Sequence, residues 1–159
     1  MSFLDMDERL VEILDQVDLV YSPLVDVKEY PEVVDIALVE GAVSTDEDRA
    51  KIRKIRAHTK TLISLGDCAV TSNVPAMRNY FPVDSVMKRA YVENAAGGGV
   101  IPERGLPKLD PRVCPVHEVV HVDLFIPGCP PSADTIHAAL TELLAGRNPD
   151  IAALTRFGA

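Results

Sequence analysis

Residues 61–79, TLISLGDCAVTSNVPAMRN, decide the reading of the fold. The stretch opens on an apolar run, residues 61–65, breaks at Gly66, and sets Cys68 in a loop of small and polar residues. The same arrangement recurs later: residues 121–126 are again largely apolar, and PGCPP, residues 127–131, follows at once. Each half reads as a buried strand ending in a cysteine-bearing turn. If the two strands are parallel neighbours in an open α/β sheet, both thiols emerge at its carboxyl edge, where such sheets bind ligands.

Outward from these halves, strands alternate with helices. Residues 2–16 carry apolar side chains at Phe3, Met6, Leu10, Ile13 and Leu14, the spacing of one helical stripe. A short apolar run at 17–21 predicts a strand ended by Ser22-Pro23, and residues 34–39 predict the next, closing at Glu40-Gly41. Ser44 followed by Glu47 is a capping-box pattern for a helix through His58, whose basic last turns suit the helix dipole and read as a solvated face. Residues 83–91 predict a helix, and 94–115, rich in glycine and proline, a long surface loop. Its Gly97-Gly98-Gly99 lacks the spacing and the strand–helix setting of a phosphate cradle. Residues 117–126 return to strand character and 132–145 to helix, capped by Gly146. The pattern predicts an α/β three-layer sandwich with a mostly parallel sheet, one domain over 1–147 and a loosely held tail over 148–159.

Composition narrows the function. A chain of 159 residues with 47% hydrophobic and 25% charged residues is long enough for one proper core. The net charge of −8 argues against a nucleic-acid surface, and no apolar run has the length of a membrane span. Three cysteines do not make a disulfide framework, so a reducing compartment fits, with thiols free for ligation or packing. No secretory or twin-arginine pattern opens the sequence.

Two strand-end thiols suit part of an iron–sulfur site, since a cubane cluster takes four thiolates held by rigid backbone. The small residues and prolines beside them, Gly66, Ala69, Gly128, Pro130 and Pro131, suit close backbone approach. A free cysteine taken singly is most often a small buried hydrophobe; the shared setting of Cys68 and Cys129 sets them apart. Cys114, at the end of the long loop, reads as a bystander. The histidines form no metal-ligand spacing, although His117 and His121 would share a strand face. A Cys68 nucleophile with a His117 base is a further reading, without any activating pattern behind it. Glu40 closes a strand at the same edge, either as a polar group beside a redox centre or as a simple cap.

VEGAV (39–43), SLGDCAVTSNVPAMRN (64–79), HEVV (117–120) and FIPGCPP (125–131) resemble the small subunit of nickel–iron hydrogenases, and with the opening MSFLDMDE most closely the short cytoplasmic kind of NAD(P)-linked enzymes, in the 20 kDa NADH:ubiquinone oxidoreductase-like family. The resemblance implies a flavodoxin-like domain carrying the proximal 4Fe-4S cluster. That cluster would pass electrons between the nickel–iron site of a large subunit and a diaphorase module, with FMN nearby in that module. It implies Cys68 and Cys129 as two cluster ligands, with Glu40, Gly41, Gly66 and Gly128 near the cluster. The family's other two ligands come from a C-x-x-C turn after a first strand, which would fall just before Met1. The expectation is therefore that upstream codons encode that strand and turn. Nickel-binding C-x-x-C pairs are absent, so the chain is read as an electron-transfer subunit of an oxidoreductase that does not itself cleave hydrogen. The alternatives are the related cluster subunit of complex I, whose adjacent cysteines are lacking here, and a cluster-free docking scaffold.

Overall fold

The computed structural model describes residues 4–22 and 25–155. Ser2, Phe3 and Pro23, which the sequence places at a helix start and a strand end, lie outside them. Three strands build a parallel sheet: β1 (Val34–Val39), β3 (Thr59–Leu65) and β5 (Leu124–Ile126), in the order β1-β3-β5. Between the first two strands the chain forms β2 (Val43–Thr45) and helix α2 (Asp46–Ala57). Residues 62–65 of central β3 are buried without alternation because both faces of the strand are covered, the usual condition of a parallel strand.

Alternate residues of β3 sort into two cores. Ile63 and Leu65 pack with Met6 and Ile13 of the amino-terminal segment, which holds helix α1 (Glu8–Leu14), and with Ile136, Ala139 and Leu140 of helix α5 (Ala133–Leu144). Leu62 faces the other way, against Ile52 and Ile55 of α2 and against Val43, Val116 and Val122. Helices thus cover both faces, which is the expected three-layer α/β arrangement. Full burial of each such aliphatic side chain contributes about 1.5–3 kcal/mol.

The remaining elements depart from the sequence expectations in instructive ways. Residues 17–21 form no strand; Leu19 and Val20 are exposed, and no described strand runs beside them to supply a ladder. Of residues 117–126 only the last three pair with β3, because Asp123 intervenes. Its N–H donates to the Leu62 carbonyl at 2.9 Å and its carboxylate accepts the Leu62 N–H at 2.7 Å. Before it, Val116–Glu118 is a 3-10 turn, so His117 and His121 share no strand face. The region 94–115 is not loop throughout: its end is strand β4 (Leu109–Cys114), antiparallel to β2 through a bulge. Cys114 lies opposite Val43 in that pair and is buried, so it belongs to a packed strand rather than to a flexible loop.

The helix starts are set by local hydrogen bonds. The capping box of α2 uses Thr45 and Asp48, one residue beyond the Ser44–Glu47 pattern, because β2 carries extended backbone through Thr45. Ser44 still serves, donating N–H and Oγ–H to the same Asp48 oxygen. Burial alone would raise the Asp48 pKa; these donors outweigh it and hold the carboxyl below its ordinary range. Helix α5 begins as expected, with Ser132 Oγ accepting the Thr135 N–H at 3.1 Å. Two more helices precede it: α3 (Asp67–Thr71) and α4 (Val83–Lys88), the latter running on as a π-helical turn through Glu93. Of residues 148–159, expected to be a loosely held tail, the structure describes those up to 155. Helix α6 (Ile151–Leu154) lies on α5, and the Leu154 carbonyl accepts the Thr135 hydroxyl at 2.8 Å. Among the described residues no helix is long and apolar enough to cross a membrane.

Candidate functional site

The parallel register sets Leu65 beside Ile126, so β3 and β5 end level with each other at the carboxyl edge. The pairing then continues past the strands. The Gly66 N–H donates to the Ile126 carbonyl at 2.7 Å, and the Asp67 N–H donates to the Gly128 carbonyl at 2.8 Å. Asp67 Oδ1 accepts the Gly128 N–H at 2.7 Å. Cys68 follows in the first turn of α3, and Cys129 follows Gly128.

Glycine is required at both turns. Gly66 has φ +80°, and Gly128 has φ +141° with a hypothetical Cβ lying 2.6 Å from Pro131 Cα. The chain at Gly128 is therefore folded tightly on Pro131, and Cys129 leaves it in a defined direction.

Cys68 and Cys129 are both free thiols, the first half-buried and the second exposed. They line one cleft of about 320 Å³ together with Gly66, Gly128 and, from the end of β1, Glu40 and Gly41. The structure thus brings together all six residues singled out at this edge. Cys114 is not among the lining residues; its sulfur lies 4.0 Å from Arg49 Nη2, in the β2–β4 region. No hydrogen bond joins Cys68 to His117 among the described residues, and the His117 ring packs edge-on against Phe125 with centroids 5.7 Å apart. The thiol–imidazole pair of a cysteine nucleophile is therefore not formed.

The donor set suits a soft, thiolate-bound cofactor. Two thiols open into one shared cleft, flanked by glycine backbone that leaves room for a bulky inorganic group. Among the described residues no three cysteine, histidine or acidic side chains converge as a complete metal site. These residues fit half of a four-thiolate ligand set.

Asp67 was not foreseen as a site residue. Its partner lies 61 residues away, so nothing in the local spacing announces the bond. The motif end NVPAMRN, by contrast, is held against the β2–β4 region by its own anchors. Residues Val74–Tyr80 form a 3-10 segment held by Arg78, which donates to the Ser44 carbonyl at 3.0 Å, and by Asn79, which bonds Val113. Its apolar side chains face outward: Val74 is 60% exposed, Met77 63%, Tyr80 85% and the following Phe81 61%.

Comparison with known proteins gives concordant results. A family model described as NADH ubiquinone oxidoreductase, 20 Kd subunit, matches residues 1–143. The NAD-reducing hydrogenase HoxS subunit delta of Cupriavidus necator is 44% identical over 156 residues, covering 95% of this chain and 75% of that subunit. A subunit of the F420-non-reducing hydrogenase of Methanothermobacter thermautotrophicus is 33% identical over 95% of this chain, which spans 51% of that relative's length. Among solved structures, a chain of an NAD+-reducing [NiFe]-hydrogenase in the H2-reduced state superposes with a TM-score of 0.93 and 37% identity, over 99% of this chain and 90% of that one.

Proposed function

Because the chain belongs to the family of the 20 Kd subunit of NADH ubiquinone oxidoreductase, we propose that it is the electron-transfer small subunit of an NAD(P)-linked nickel–iron hydrogenase. In this reading Cys68 and Cys129 hold one side of the proximal 4Fe-4S cluster. The other two ligands are proposed, as the resemblance implies, in a C-x-x-C turn ahead of residue 1. When bound, such a cluster supplies a one-electron relay.

The observation that carries the proposal is the cleft shared by Cys68 and Cys129 at the end of two parallel strands. The similarity to an NAD-reducing hydrogenase subunit supports it from a separate direction. The protein's own residues have definable tasks. The glycines at 66 and 128 let backbone approach the cofactor, the buried Pro131 lines the cleft beside the turn, and Glu40, just past the end of β1, contributes a carboxylate to the same lining.

A large subunit bearing nickel and iron is the proposed partner on one side, and an NAD(P)-linked diaphorase on the other. The outward-facing Val74, Met77, Tyr80 and Phe81 are the apolar surface suited to a permanent partner. A flavin, in the same reading, sits in the diaphorase, and no residue of this chain is assigned to one. The work of the chain is then done in the cytoplasm.

The test is substitution in the holoenzyme, produced together with its large subunit. Cys68→Ser and Cys129→Ser are each expected to abolish the reduced-cluster EPR signal and lower the iron content, and Cys114→Ser to leave both unchanged. Retention of the full signal without Cys129 would sink the proposal.

A further inference from the structure

We propose that Asp67 is a positioning residue whose carboxylate oxygen locks the two cysteine turns into one geometry. What the lock serves rests on the cluster-carrying role; its existence rests on two hydrogen bonds between the turns. Asp67 immediately precedes Cys68, and Gly128 immediately precedes Cys129. These two neighbours are joined by a reciprocal pair of hydrogen bonds: Asp67 N–H to the Gly128 carbonyl at 2.8 Å, and Gly128 N–H to Asp67 Oδ1 at 2.7 Å.

An acidic residue in the first turn of a helix ordinarily serves that helix. Here it does not: α3 begins at Asp67 with Gly66 as its cap residue, and no side chain makes a capping hydrogen bond. The carboxylate is committed across the cleft instead.

Strand geometry also cannot do the same work. β5 ends at Ile126 and the facing chain from Asp67 on is helix α3, so no strand carbonyl stands opposite the Gly128 N–H. A side-chain acceptor is the substitute, and a carboxylate oxygen makes it a charge-assisted bond. Since each sulfur-bearing residue lies one residue from a clamped atom, little backbone freedom separates the clamp from the sulfurs.

Acceptor position and negative charge make different demands, which decides the test. Asparagine keeps an oxygen where Oδ1 stands and drops the charge; glutamate keeps the charge and moves the oxygen outward by a methylene. The Gly128 amide of 15N-glycine-labelled protein is followed by hydrogen exchange in wild type, Asp67→Asn, Asp67→Glu and Asp67→Ala. The Gly128 amide is expected to be protected in wild type and to stay so in Asp67→Asn, within about threefold. It should exchange roughly tenfold or more faster in Asp67→Ala and Asp67→Glu, the scale expected for losing one hydrogen bond whatever the charge of its acceptor.

In the holoenzyme the same order is expected in the line shape of the reduced-cluster EPR signal, preserved in Asp67→Asn and altered in Asp67→Glu. Unchanged Gly128 exchange in Asp67→Ala overturns the inference, as does protection by glutamate without protection by asparagine. Should Asp67→Ala fail to fold, the asparagine–glutamate contrast decides alone. A wild-type holoenzyme without any cluster signal would defeat the electron-transfer reading, while the exchange experiment would still judge the clamp.

Discussion

Asn79 bonds Val113 twice. Its Nδ2–H donates to the Val113 carbonyl at 2.8 Å and its Oδ1 accepts the Val113 N–H at 2.8 Å. The amide side chain thereby acts as one more residue of strand, extending the pairing of β4 and tying the exposed 3-10 segment 74–80 to it. Val113 is 1% exposed, so losing Asn79 strands two buried backbone groups. Asn79→Ala is expected to lower stability by about 2 kcal/mol in urea unfolding, and Asn79→Asp, which loses the donor, by about 1 kcal/mol or more.

Asp123 predicts a pH dependence. Burial would raise its pKa, but the Leu62 N–H and the Arg56 guanidinium together hold it below its ordinary 3.8. A carboxyl with a depressed folded pKa stabilises the fold above its unfolded value and loses that contribution as pH falls through the folded one. The stability gap between wild type and Asp123→Asn is therefore expected to be constant near neutrality and to close as pH drops below 3.8. At a third exposed, the carboxylate's ion pair is worth under about 1 kcal/mol. Asp123→Ala, which also leaves the fully buried Leu62 N–H without its acceptor, should cost about 2 kcal/mol at any pH where the protein folds.

Gly128→Ala sets a methyl group 2.6 Å from Pro131 Cα at a left-handed φ. Backbone strain of this kind costs roughly 1–3 kcal/mol. The expected outcome is a lowered melting temperature together with loss of iron from the holoenzyme. Gly146→Ala, with positive φ, open space around it and no part in the cleft lining, is the comparison that should retain iron.

Ser64 lies in the middle layer, fully buried, and its hydroxyl has no hydrogen-bond partner among the described residues. An unmet buried hydroxyl costs free energy that an apolar side chain of smaller size does not. Ser64→Ala is expected to stabilise by about 1 kcal/mol, seen as a higher urea midpoint at unchanged slope.

Met77→Glu places a charge on the outward apolar surface, where the side chain is already mostly in water. The stability of the separate chain should stay within about half a kcal/mol of wild type. Recovery of the large subunit in co-purification should fall sharply. Unimpaired recovery would remove this surface from the interface.

The features legible in the sequence are those whose cause is local. Residues 61–65 read as a central strand because three of the five are large aliphatics and a glycine ends the run, and α5 announces itself through Ser132 and a clean helical stripe. The shared cleft of Cys68 and Cys129 was foreseeable because each lies in a glycine-bearing turn just after a strand. What escaped depends on distant partners. The apolar run at 17–21 had the composition of a strand but no described neighbour to pair with. Strand β4 was hidden by Pro111, which a strand tolerates only at an edge or bulge, and by a partner only three residues long. Asp67 reads in the sequence as one polar residue of the cysteine-bearing loop, because its hydrogen bond reaches 61 positions ahead.

Strand β1 stands at one margin of the sheet, with β3 on a single side of it. Among the described residues its opposite flank presents peptide groups with no strand to receive them, and margins of this sort recruit extended chain from neighbouring molecules. Colloidal behaviour of the isolated polypeptide should then be governed by this flank more than by mutual repulsion between molecules. Crowded preparations are expected to associate through it first.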